Sequence, residues 1–74
     1  MSQNNAAAQQ AFEVVVSRYP DSNKAPGALF KIGRLQQASG DTAAARSSFQ
    51  RVLDDYPDSP AAGLARQRLD QLGR

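Results

Sequence analysis

Seventy-four residues with a formal net charge of +2, no Cys and no His make room for one small domain and exclude a two-domain enzyme. The missing residue types also exclude disulfide staples, thiolate or imidazole metal sites, Cys nucleophiles and His general bases. The core must therefore stand on packing alone, and in chains below roughly 70–80 residues such a core seldom supplies more than about 3–5 kcal/mol.

Seven arginines and two lysines face seven acids. Asp54, Asp55, Asp58 and Asp70 are mixed with Arg46, Arg51, Arg66 and Arg68, which reads as solvated helix surface and not as a nucleic-acid-binding face. No apolar run approaches the roughly 18 residues of a membrane-spanning helix, so no membrane insertion is expected. Met1-Ser2-Gln3-Asn4-Asn5 lacks the basic start and apolar core of a secretion signal. As it stands the chain reads as soluble and unexported, and a piece cut from a longer exported protein would read the same.

The first predicted element is a helix over 5–18, because Phe12, Val15, Val16 and Tyr19 recur at i, i+3, i+4 and i+7. Val14-Val15-Val16 is a β-branched run that alone would suggest a strand. The neighbouring Ala and Gln residues favour helix instead. Pro20 then ends this helix and Asp21-Ser22 opens the next.

The second helix, over 24–38, carries Ala25, Ala28, Leu29, Ile32 and Leu35 on one stripe. Phe30, Arg34 and Gln37 form another stripe, offset from the first by about 100°. In Ala38-Ser39-Gly40-Asp41, Gly40 suits a left-handed C-cap and Asp41 can accept from the free amides of the next helix. The third helix, 42–55, carries Phe49, Val52, Leu53 and Tyr56, and the fourth, 60–72, a narrower stripe of Ala61, Ala65, Leu69 and Leu72.

These elements repeat. Tyr19-Pro20-Asp21-Ser22 returns as Tyr56-Pro57-Asp58-Ser59, an offset of 37, and at that offset Ala8 meets Ala45, Phe12 meets Phe49, Ala25 meets Ala62, Ala28 meets Ala65 and Leu35 meets Leu72. A fixed period of this size marks a stack of supersecondary units.

The residues resemble the tetratricopeptide repeat. Leu29-x2-Ile32-Gly33 stands for the opening of its pattern, Gly40-Asp41 for the turn, Ala45-x3-Phe49 for the second-helix contacts and Pro57 for the close. Leu29 and Gln36 depart from it, each standing where an aromatic is usual. Gly33 and Ala45 are small because paired helices cross closely there. The resemblance implies an all-α stack of antiparallel helix-turn-helix repeats with about four helices: a partial repeat at 5–22, a full repeat at 26–59 and a polar capping helix at 60–72. The Tyr-Pro-Asp-Ser connection and the 37-residue period are similar to bacterial envelope repeat proteins. These include the C-terminal repeats of the periplasmic Tol-Pal-associated cell-division coordinator, and BamD-like repeats. That likeness implies a periplasmic setting and an envelope partner such as TolA. Without it, the chain reads as cytoplasmic.

No catalytic set is visible, since Ser47, Ser48 and the aspartates have no His and no purposeful Lys beside them, and no cofactor is expected. Asp54-Asp55-x2-Asp58 lacks the Gly-bearing loop and closing Glu of a Ca²⁺ site, so these read as solvated carboxylates. Tyr19 and Tyr56, each before Pro, read as packing residues with surface hydroxyls.

The resemblance maps a partner-binding face to Gly27, Phe30, Lys31, Arg34, Gln37 and Ala38, extended by Gln67 and Gln71. Phe30 and Arg34, read as lying outside the core stripe, are residue types that anchor interfaces. They do not reproduce the Lys and Asn clamp with which some family members grip a terminal carboxylate. The expected function is binding of a protein or peptide. The rival is self-association as a homodimer through the first helix, where Ala7, Ala11, Val14 and Val15 are expected to lie partly uncovered.

Overall fold

The computed structural model describes residues 2–73. Four helices occupy them: α1 (Ser2–Arg18), α2 (Ala25–Ala38), α3 (Thr42–Asp55) and α4 (Pro60–Leu72). α1 begins at Ser2, earlier than the periodicity marks, because Ala6, Ala7 and Ala8 extend a helix-favouring run ahead of the first large apolar residue. The Val14-Val15-Val16 run is helical, running from a 47% exposed Val14 to a buried Val16.

Each connection uses the chemistry its residues offer. At the end of α2 the Gly40 amide donates to the Gln37 carbonyl and the Asp41 amide to the Gln36 carbonyl. Gly40 takes φ +90°, the left-handed value that closes such a double-bonded C-cap. Asp41 then turns round to cap α3, its Oδ1 accepting from the Ala44 amide at 3.1 Å. Ser59 caps α4 in the same manner, its Oγ accepting from the Ala62 amide at 3.2 Å, and Pro60 follows at a position that needs no free N–H. At the far end of α4, Arg46 Nη2 donates to the Leu72 carbonyl at 3.1 Å.

α2 is the centre of the packing. It touches α1, α3 and α4, while α3 also packs on α4. Among the described residues no Cα of α1 comes within 8 Å of one of α3, and a cleft lies between the two helices over α2. The cleft, about 240 Å³, is lined by Glu13, Val16 and Ser17 from α1, Leu29, Ile32 and Gln36 from α2, and Ser48 and Arg51 from α3. Ser48 is buried, and its hydroxyl donates to Gln36 Oε1 at 2.6 Å.

The core joins Val16, Leu29, Phe30, Ile32, Phe49 and Val52 to a set of small residues that includes Ala28, Ala45, Ala61, Ala62 and Ala65. A Cβ added at Gly33 would lie 2.6 Å from Phe49 Cε1. The close crossing inferred from Gly33 is therefore present, and the bulk that glycine admits is the Phe49 ring.

Two expectations are corrected here. Phe30 is not outside the core: it is only 7% exposed, and its ring meets that of Phe49 with centroids 5.4 Å apart at 44°. α2 packs against three other helices, so its buried arc is wider than a single stripe and takes in Phe30. The two repeated tyrosines also differ. Tyr56 is half-buried, and its hydroxyl donates to the Pro20 carbonyl at 2.7 Å, tying the second turn to the first. Tyr19 is 60% exposed.

Candidate partner-binding face

On the face of α2 that carries Lys31 and Arg34, two clefts adjoin. The first, about 410 Å³, lies between α2 and α4, with Pro26, Gly27, Phe30, Lys31 and Arg34 on one wall and Ser59, Pro60, Ala61 and Leu64 on the other. The second, about 310 Å³, is lined by Phe12 of α1 and by Lys31, Arg34, Leu35 and Ala38. Lys31 and Arg34 belong to both and form the ridge between them.

α2 positions these cations by its register. Gly27, Lys31, Arg34 and Ala38 follow one another at steps of four, three and four, which keeps them on one face. Lys31 is further placed by Phe12, since its Nζ lies 5.4 Å from that ring's centroid, within the range of a cation–π contact. Gly27 leaves open space, as a Cβ built there would meet nothing within 4 Å. Among the described residues no carboxylate lines either cleft, whereas Glu13 lines the cleft between α1 and α3 and Asp54 a shallow one on α3.

Of the six residues expected on this face, Gly27, Phe30, Lys31 and Arg34 line the first cleft, and Lys31, Arg34 and Ala38 the second. Gln37 lines neither, and neither do the exposed Gln67 and Gln71. Phe30 contributes only its small exposed remainder, since it is buried in the core. The larger apolar surface comes from Leu64, 49% exposed, and the half-buried Phe12. Sequence reasoning passed over both. Leu64 had a signal, being a large apolar residue of α4 outside the stripe of Ala61, Ala65, Leu69 and Leu72. Phe12 gave none, because its spacing marks it as core.

A family profile described as tetratricopeptide repeat matches residues 1–22 and 27–59, well over half of the chain. The chain belongs to the tetratricopeptide repeat family. A search of curated proteins returned no significant match. Membership explains the pairing seen here, with α2 and α3 as the two helices of one complete repeat and α1 as the second helix of the repeat before it. It also accounts for the cleft between α1 and α3: Leu29 and Gln36 stand where the repeat pattern places Trp and Tyr, so the space of two large rings is only partly filled. The tetratricopeptide repeat is a non-catalytic protein-interaction unit. Among the described residues no helix is long and apolar enough to cross a membrane.

Proposed function

We propose that this tetratricopeptide chain holds a peptide segment of a partner protein across the paired clefts on α2, and that the segment is acidic with an apolar anchor. The observation that carries this reading is the Lys31–Arg34 ridge between two apolar-floored clefts that, among the described residues, no carboxylate lines. An apolar side chain would seat against Leu64, Pro26 and Phe30. Carboxylates beside it would reach the two cations, which supply orientation and encounter rate more than raw affinity.

The Tyr-Pro-Asp-Ser connections and the 37-residue period support placing this module in a bacterial envelope, with an envelope protein such as TolA as partner. Self-association through α1 is the second reading, favoured by the exposed Ala7, Ala11 and Val14.

Selection of binders from a random peptide library tests the cleft. Peptides recovered on the native chain should be enriched in Asp or Glu next to a large apolar residue. Arg34→Glu and Leu64→Ser should each abolish that recovery while the helical circular dichroism signal stays intact. Phe30→Ala is unsuitable for this purpose because Phe30 is core. Recovery without acidic enrichment, or undiminished by Arg34→Glu, overturns the reading.

A further inference from the structure

The cleft over α2 between α1 and α3 has the size and the polarity of a site for one ring. In the repeat pattern Trp-x2-Leu-Gly-x2-Tyr, the three large positions fall on Leu29, Ile32 and Gln36, and these are the α2 side chains that line the cleft. An aliphatic side chain and an amide thus stand where two rings are usual, and about 240 Å³ lies between the helices. A cavity of about 150 Å³ already takes up benzene, so the space suits a single substituted ring. Val16, Leu29 and Ile32 are each at most 7% exposed. The cleft is therefore a slot over core side chains, which a flat occupant fits better than a branched one.

The polar side of the slot selects the substituent. The hydroxyl of the buried Ser48 donates to Gln36 Oε1 at 2.6 Å. That bond leaves the lone pairs of Ser48 Oγ free to accept. It also leaves Gln36 Nε2, which has no acceptor among the described residues, free to donate. A phenol hydroxyl satisfies both at one atom, donating to Ser48 Oγ and accepting from Gln36 Nε2. An indole N–H can only donate, and the rim of a plain aromatic ring does neither. Glu13 and Arg51 line the cleft from α1 and α3 with opposite charges, an arrangement that favours a neutral occupant. A phenol, with a pKa of about 10, is neutral at physiological pH.

We propose that this cleft binds a small neutral phenol, its ring against Val16, Leu29 and Ile32 and its hydroxyl on the Gln36–Ser48 pair. The site shares no residue with the two clefts beside Lys31 and Arg34, and it does not depend on peptide binding there. The occupant touches α1, α2 and α3 together, so it braces two helices whose Cα atoms stay more than 8 Å apart. A ligand held only by the folded chain raises its melting temperature.

The probe is p-cresol, titrated into the isotope-labelled chain and followed by amide chemical shifts, with toluene as the ring without the hydroxyl. Saturable shifts should centre on Val16, Ile32, Gln36 and Ser48, and the melting temperature should rise with p-cresol concentration. The p-cresol affinity should exceed that of toluene roughly fivefold, the worth of about one net hydrogen bond. Gln36→Tyr places a phenol ring of the chain's own at the cleft and should abolish the p-cresol shifts while the helical circular dichroism signal is kept. Ser48→Ala, which removes the acceptor without adding bulk, should lower p-cresol affinity to that of toluene. N-acetyltyrosinamide carries the same ring on a peptide unit and should bind more weakly than p-cresol; tighter binding overturns the assignment to a free phenol. Equal affinity for toluene and p-cresol, shifts centred on Lys31 and Leu64, or p-cresol binding undiminished in both folded variants overturns the proposal.

Discussion

Replacing glycine by alanine at two positions of α2 should move stability in opposite directions. In a helix interior Ala is favoured over Gly by about 0.8–1.0 kcal/mol, so propensity alone predicts a gain at both Gly27 and Gly33. Packing separates them. A Cβ at Gly27 meets nothing within 4 Å, so Gly27→Ala should stabilise by about 0.5–1 kcal/mol.

A Cβ at Gly33 would stand 2.6, 2.8 and 3.0 Å from Cε1, Cδ1 and Cζ of Phe49, whereas carbon contacts are optimal at about 3.5–4.0 Å. Phe49 has no exposed surface, and the Phe30 ring lies against it, so the ring has little room to retreat. Overpacking of this kind typically costs about 1–3 kcal/mol. Set against the propensity gain, Gly33→Ala should destabilise by about 1 kcal/mol, which is roughly 4–8 °C of melting temperature in a domain of this size. Thermal unfolding followed by circular dichroism measures both variants. If Gly33→Ala melts at or above Gly27→Ala, the Gly33–Phe49 crossing does not constrain the fold and the reasoning fails.

The remaining predictions concern the connections. Tyr56→Phe deletes the hydroxyl that donates to the Pro20 carbonyl and should cost about 0.5–1.5 kcal/mol, read as a lower urea midpoint with an unchanged slope. Asp41→Ala removes the acceptor for the Ala44 amide at the start of α3. It should cost about 1 kcal/mol, with Asp41→Ser retaining most of the stability in the same melt.

The repeat offset, the punctuation by Pro20, Gly40 and Pro57, and the small residues at Gly33 and Ala45 lie in the sequence. Each acts through local chemistry or a fixed period, and four helices in a tetratricopeptide arrangement follow from them. What the periodicity of one helix cannot report is how many neighbours that helix will have. Phe30 looked like an anchor facing outward because one stripe already accounted for a core. Only the seating of α2 among α1, α3 and α4 turned it inward, and the same packing left Leu64 and Phe12 to form the apolar part of the clefts. Tyr19 and Tyr56 share the Tyr-Pro-Asp-Ser motif, and their difference is tertiary: the Tyr56 hydroxyl reaches the Pro20 carbonyl, while Tyr19 is 60% exposed. The chain alone determined which surfaces are built, because helix register and turn chemistry are written in neighbouring residues. The tertiary structure decided which of those surfaces are covered, because burial depends on partners distant in sequence.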